Sequence, residues 1–261
     1  VQRRALVTGA SSGIGAATAR RLAAEGYRVA LLARSPTRLS ALASELEGEG
    51  HLVLVCDLCQ SGEIEAAFQE LGQAFGGLDL LVNNAGVGYR ALVEELEEGT
   101  LGRLFDTNVL AVLLVSRAAL PLLVRGRDPV VVNISSVVGR RGIPGQVAYA
   151  ASKAAVCSIG EGLRVEWAEK GIAVCTLNPA LTATGFFEAQ HNPSGLADPS
   201  LEGAAAAHQV AAEILRLARH PRPERFLRWK WRLLASLSVI APRLADRLLV
   251  RRLGGGWRAP R

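Results

Sequence analysis

Short apolar runs alternate along this chain with longer stretches of helical spacing. The runs fall at residues 5–8, 28–33, 51–56, 78–82, 129–134 and 172–177. An unbroken apolar run of this length fits a strand buried on both faces, and the segments between them fit amphipathic helices. Strand and helix taking turns predicts βαβ units and a parallel sheet. Two turn signals, a glycine-rich one after the first run and Asn-Asn-Ala-Gly after the fourth, favour a doubly wound α/β sheet with helices on both faces over a closed barrel. No Ser/Gly tract or charge block divides the chain before its C-terminal region. The expectation is therefore one domain over residues 1–221 and an extension over 222–261.

The first run leads into Thr8-Gly9-Ala10-Ser11-Ser12-Gly13-Ile14-Gly15-Ala16. A strand, a glycine-rich turn and a helix in that order leave the free N–H groups and positive dipole end of the helix facing a phosphate. Gly9 serves the turn, Gly13 lets backbone approach a pyrophosphate, and Gly15 lets the helix pack closely on the sheet. The spacing Gly-x-x-x-Gly-x-Gly is a variant of the Rossmann-like dinucleotide fingerprint Gly-x-Gly-x-x-Gly.

Tyr149 and Lys153 stand four residues apart in a stretch of helical spacing, which puts both side chains on one helix face. A free phenol titrates at about 10. A fixed ammonium beside it favours the phenolate and draws the value toward neutrality, as general acid–base chemistry requires.

With both motifs in view, the chain resembles the short-chain dehydrogenase/reductase family from about Arg3 to Thr184. Asn83-Asn84-Ala85-Gly86 stands where that family has its turn beneath the cofactor. Asn108 stands at its active-site asparagine, Ser136 precedes Tyr149 by thirteen residues, and Asn178-Pro179 closes the sixth run beside the nicotinamide. The resemblance implies hydride transfer between a nicotinamide cofactor and a carbonyl or secondary alcohol carbon. Tyr149 would be the general acid/base, and Lys153 would lower its pKa and hold the nicotinamide ribose. Ser136 would bond the substrate oxygen, and Asn108 would anchor a water linking Lys153 to solvent. Cofactor contacts are implied for Gly9, Ser11, Ser12, Gly13, Ile14 and Gly15 in the first turn and for Asp57 and Leu58 at the adenine. Asn84, Ala85, Gly86, Tyr149, Lys153, Pro179, Thr182 and Thr184 complete that set. Ala180 stands where the family commonly has glycine. Residues 185–202, rich in Gly, Pro and polar groups, are expected to cover the substrate, with Phe186 and Phe187 as an apolar lining. Helices expected around 101–124 and 147–169 would pair subunits into a homodimer or a higher homo-oligomer.

Cofactor choice turns on the end of the second run, where an NAD site usually carries a carboxylate. This chain has Ala33 followed by Arg34, with Arg38 further on. Arginine suits a 2′-phosphate, so NADP(H) is favoured over NAD(H). Cys56, Cys59, Cys157 and Cys175 form no disulfide framework, and the Cys-x-x-Cys at 56–59 is expected to be packing. This suits a reducing, cytoplasmic setting. The four histidines, His51, His191, His208 and His220, lack ligand spacing, so no metal is expected. No apolar run reaches transmembrane length.

The net charge of +6 arises in the tail: residues 219–261 hold twelve Lys/Arg against Glu224 and Asp246 alone. These cations mix with Trp229, Trp231, Leu233, Leu234, Val239 and Ile240. That composition fits an amphipathic segment lying on an anionic membrane surface, where a lipophilic substrate would be met. It fits slightly better a segment packed on the domain or a partner subunit with its arginines outward. No terminal strand is evident in it, and no nucleic-acid motif accompanies the charge.

Overall fold

Each predicted run becomes a strand: β1 (Arg4–Thr8), β2 (Arg28–Ala33), β3 (Leu52–Val55), β4 (Leu80–Asn83), β5 (Val130–Ile134) and β6 (Ala173–Asn178). These come from a computed structural model that describes residues 2–253. Two further strands, β7 (Thr182–Ala183) and β8 (Ala205–Ala206), form a small parallel ladder. A last strand, β9 (Glu224–Phe226), joins the main sheet, which runs β3-β2-β1-β4-β5-β6-β9, all parallel. After β3 the chain returns to lie beside β1 as β4. That reversal opens a crevice at the carboxyl ends of the central strands.

Both faces of the sheet are covered, which is why the strands read as unbroken apolar runs. Ala5, Val7, Val29, Leu31, Leu80 and Val82 face one core, closed by α1 (Gly13–Ala24), α2 (Pro36–Glu45) and α7 (Ala207–Arg219). Their neighbours Leu6, Ala30, Leu32, Leu81 and Val131 face the other, closed by α3 (Ser61–Phe75) and α5 (Ala111–Leu123). α4 (Glu98–Phe105) runs through a π-helical turn, Asp106–Leu110, into α5. By length and composition the resulting rod, Glu98–Leu123, is long and apolar enough to cross a membrane, where none was expected. It packs against α3 and α6 (Val147–Glu166) as a core helix.

At the amino-terminal edge of the sheet, the carboxylate of Asp79 is 3% exposed. It accepts from the Arg4 main chain at 2.7 Å, from Arg4 Nε at 3.1 Å and Nη2 at 2.9 Å, and from Arg127 N at 2.6 Å. Burial alone would raise its pKa. The guanidinium and the two main-chain donors more than offset that and hold it below its ordinary value.

One boundary moves. The domain was expected to end at 221, but β9 lies beyond that point and completes the sheet beside β6. Its three residues include Glu224 and Arg225, so it carries no apolar signal. It is held by Thr176 N donating to Pro223 O at 3.0 Å and by Glu224, whose carboxylate accepts from Asn178 Nδ2 and Arg140 Nε, each at 2.7 Å. After β9 come α8 (Trp229–Ile240) and α9 (Pro242–Leu253). Residues 254–261 of the expected extension lie outside the described residues.

Candidate active site

The crevice is stitched at the ends of β1 and β4. Thr8 Oγ1 accepts from Asn84 N and Ala85 N, both at 3.0 Å, and Asn84 Nδ2 donates to Thr8 O at 2.9 Å. Gly9 and Gly13 adopt φ of +64° and +54°, a region open to glycine at little cost. A Cβ on Gly15 would lie 2.2 Å from Gly9 O and 2.7 Å from Asn84 Nδ2, so helix and turn meet only because Gly15 has no side chain. Ser12 makes no side-chain cap, and the first turn of α1 carries no acid. The first N–H groups of that helix thus stay available to an anion. A Cβ on Gly13 would touch Thr184 at 3.4 Å, which brings the two ends of the expected cofactor site face to face. This cradle fits a dinucleotide pyrophosphate.

The catalytic candidates converge beside it. Ser136 ends β5 and caps a short helical turn, Val137–Gly139, accepting from Val138 N at 3.4 Å. Its hydroxyl is hydrogen-bonded to the phenol of Tyr149 on α6. Lys153, 4% exposed and one turn along α6, donates from Nζ to Ile134 O at 3.0 Å and lies 5.9 Å from the centre of the Tyr149 ring. Asn108, fully buried in the π-helical turn, grips the chain after β4. Its Oδ1 accepts from Val87 N at 2.8 Å and its Nδ2 donates to Val87 O at 3.0 Å. A Cβ on Gly86 would sit 3.2 Å from Asn108 Oδ1 and 3.3 Å from Lys153 Nζ. That glycine is the space in which the asparagine and the lysine approach each other.

The electrostatics correct one expectation. Lys153 was expected to pull the Tyr149 phenol down; instead burial pushes it up, opposed by the Ser136 hydrogen bond. Burial also draws the Lys153 ammonium down to about 8, with Cys157 opposing. The physical reason is that both groups are desolvated, which disfavours the charged form of each. Burial thus favours the neutral form of each, the protonated phenol and the uncharged amine.

The expected substrate segment is tied at its base by β7 and β8. Phe186 packs tilted against Tyr149 at 5.8 Å and edge-on to Phe187 at 5.6 Å. His191 Nε2 meets Glu97 Oε2 at 2.6 Å while its ring packs 5.6 Å from Tyr89, so it fastens the segment to the loop after β4. Pro179 is buried and accepts from Val137 N at 3.0 Å. Thr182 turns back on its own loop, its hydroxyl donating to Ala180 O at 3.0 Å. Arg34 and Arg38 are exposed, and neither guanidinium has a partner among the described residues. Asp57 accepts from Cys59 N at 3.0 Å and Leu58 is buried. Cys56 is buried, its thiol pushed up to about 11 by burial and then by Glu63 and Asp57, as a packing group is, whereas Cys59, also expected to pack, is exposed with its Sγ 3.3 Å from Thr107 Oγ1. Ser11 and Ile14 lie half-buried at the cradle.

Residues with no role expected from the sequence also hold the site. Ser152 donates to Tyr149 O at 2.7 Å and accepts from Asn108 Nδ2 at 3.0 Å. Ser135 donates to Lys153 O at 2.8 Å. Thr8 opens the Thr8–Ala16 turn motif, and its hydroxyl is the sequence signal for this role. Ser135 and Ser152 have no signature apart from their neighbours.

A seven-stranded doubly wound sheet with this crevice and this Ser/Tyr/Lys/Asn cluster defines a nucleotide-binding oxidoreductase fold. The short chain dehydrogenase family model matches residues 3–194. The chain is 36% identical over 190 residues to a 3-oxoacyl-[acyl-carrier-protein] reductase of Staphylococcus aureus, covering 72% of this chain and 77% of that one. It is 34% identical over 252 residues to an uncharacterised oxidoreductase of Mycobacterium tuberculosis, covering 94% and 97%. A 3beta-hydroxysteroid dehydrogenase of Mediterraneibacter gnavus is 38% identical over 187 residues, covering 70% and 67%. Among solved structures, an alcohol dehydrogenase of Thermococcus sibiricus complexed with 5-hydroxy-NADP matches with a TM-score of 0.77 at 28% identity, covering 87% and 96%. A 3-ketoacyl-(acyl-carrier-protein) reductase of Brucella melitensis complexed with NADH also gives 0.77, at 27% identity, covering 85% and 94%. The chain belongs to the short-chain dehydrogenase/reductase family and is an oxidoreductase built to bind a nicotinamide cofactor.

Proposed function

We propose that this chain is an NADP(H)-dependent carbonyl reductase or alcohol dehydrogenase acting on a small molecule with a lipophilic body. The observation that carries the reading is the meeting of Ser136, Tyr149, Lys153 and Asn108 beside the cradle formed by Gly9, Gly13 and Gly15. When bound there, a nicotinamide cofactor supplies or accepts the hydride. In reduction, Tyr149, kept protonated by burial, gives its proton to the developing alkoxide oxygen. Ser136 donates a hydrogen bond to the same oxygen. Lys153 stands behind as the proton reservoir, and Asn108 fixes the loop that closes its pocket. In oxidation the proton moves the other way. Phe186 and Phe187 give the substrate side an apolar wall, which suits the oxoacyl and hydroxysteroid groups named for the relatives.

Arg34, unpaired beside the end of β2, supports NADP(H) over NAD(H); the neighbours' ligands include both. A homodimer is the assembly we favour, because Phe105, Leu110 and Leu113 on the long rod and Val165 on α6 are left exposed. Four free thiols support a cytoplasmic setting. The test is oxidation of NADPH and of NADH over a panel of aldehydes, small ketones and lipophilic ketones. Turnover should prefer NADPH and fall by roughly a hundredfold or more in Tyr149→Phe. Equal rates in the variant would remove Tyr149 from the chemistry. Cofactor binding with no turnover across the panel would favour a nucleotide sensor on the same fold.

A further inference from the structure

α8 and α9 form a helical hairpin seated at the mouth of the site. α8 packs on the Val137–Gly139 turn that follows Ser136. Arg228 Nη2 donates to Gly203 O, at the base of the substrate segment, at 2.7 Å. Asp246 on α9 turns inward to pair with Arg141, and Ala245 and Leu249 are buried. The hairpin thus has an inner face that packs.

Its outer face does not pack. Among the described residues fifteen large hydrophobics are exposed, and six of them lie here: Trp229, Leu233, Val239, Ile240, Leu244 and Leu248. Val239 and Ile240, at the tip, are each 82% exposed. On α9, Leu244 and Leu248 form one line at helical spacing, and Arg243, Arg247 and Arg251 form the line beside it. Lys230 and Arg232 add to the charge from α8. None of these five cations has a partner among the described residues, and the one acid of the hairpin is spent on Arg141. The outer surface is therefore both apolar and purely cationic.

We propose that this face docks on an anionic lipid bilayer, with Val239 and Ile240 entering the acyl boundary and the arginine line meeting headgroup phosphates. Bilayer surfaces offer what the face lacks, a negative field and an apolar layer beneath it. A second copy related by a two-fold axis would set five unpaired cations against five others, which repels. Nucleic acid would use the arginines but leave the aliphatic tip in water. Docked in this way, the hairpin holds the substrate segment next to the bilayer, so that a lipophilic carbonyl reaches Tyr149 without crossing water. That last step rests on the reductase reading; the docking itself does not.

The test uses the full chain and sedimentation with vesicles of phosphatidylcholine alone or of phosphatidylcholine with phosphatidylglycerol. The chain should bind the anionic vesicles at roughly tenfold or more lower lipid concentration than the neutral ones, and added salt should weaken that binding. Val239→Ser with Ile240→Ser, and separately Arg243→Glu with Arg247→Glu, should each weaken it by roughly tenfold or more. All four positions are exposed, and retained NADPH binding and thermal midpoint confirm the fold. Reduction of a water-soluble carbonyl should be unchanged in both variants. Indifference to vesicle charge, or equal binding by the variants, overturns the proposal. So does a loss of self-association in the variants without any lipid binding, which would make the face a contact between copies. Because vesicle binding needs no turnover, an inactive but lipid-binding chain would overturn only the reductase reading.

Discussion

Asp79→Asn removes a buried charge at the foot of the sheet. The carboxylate accepts four hydrogen bonds, two from the Arg4 guanidinium and two from main-chain donors that fix the start of β1 and the turn before β5. An asparagine fits the space but presents an amide N–H to at least one of those donors and leaves Arg4 without its counter-ion. Breaking a buried pair costs about 3–5 kcal/mol. The low end applies, because the Arg4 side chain keeps 19% exposure and its Nη1 still donates to Phe75 O at 3.0 Å. At about 2–4 °C per kcal/mol for a domain of this size, the thermal midpoint should fall by roughly 6–12 °C.

The same residue sets an acid dependence. Its folded pKa lies below the unfolded value of about 3.9, so its stabilisation is present above that value and is lost as pH falls through the lower, folded one. Wild-type stability should drop across this acid window, and the variant should drop less steeply. Chemical denaturation at neutral pH and down to the acid limb measures both. A midpoint within about 2 °C of wild type, together with an unchanged acid slope, would refute the account of Asp79 as a paired anchor.

Three further outcomes follow from the site. Gly15→Ala sets a Cβ against Gly9 O and Asn84 Nδ2, so stability should fall by about 1–3 kcal/mol and NADPH fluorescence titration should show weaker binding; no change in either would mean the turn has slack. Arg34→Glu should weaken NADPH by roughly tenfold or more while leaving NADH unharmed, and equal losses for both would place Arg34 outside the 2′-phosphate contact. Glu224→Ala frees Asn178 at the end of β6 and Arg140 after the Val137–Gly139 turn and should raise the KM for cofactor. Glu224→Gln, which keeps an acceptor, should restore most of the affinity, and an alanine variant with wild-type KM would limit Glu224 to holding β9.

The parts legible in the sequence were those whose signals are local. A strand buried on both faces must be apolar throughout, so β1 to β6 announced themselves. Gly9 and Gly13 are required by a local turn at positive φ and Gly15 by its close approach to Gly9 O, so the cradle did too, although Asn84 and Thr184 reach it from far along the chain. β9 was hidden because its residues are chosen for side-chain partners far away: Glu224 for Asn178 and Arg140, Arg225 for Glu213. The π-helical turn that aims Asn108 at Val87 left no periodic trace, since one extra residue in a turn shifts the helical phase without changing the composition. Protonation was the least legible part. The four-residue spacing of Tyr149 and Lys153 suggests a direct charge effect, yet burial is the dominant influence on both groups, and burial depends on everything packed around them.

β9 also explains why the tail cannot be treated as an appendage. Glu224 binds the last residue of β6 from one side, and two residues after β9 Arg228 begins a hairpin that rests on the turn after Ser136. Two loops that shape the crevice are therefore contacted by one continuous segment, residues 224–246, through Asn178 and Arg140 at its start and Arg141 at its end. A ligand on the outer face of the hairpin that favours this seating would stabilise the crevice by its differential affinity for the seated state and by no more than that. Vesicle binding and cofactor affinity should then be coupled with the same factor in both directions. If anionic vesicles lower the NADPH dissociation constant, NADPH must tighten vesicle binding equally, and if neither moves the other, the hairpin is a passive anchor.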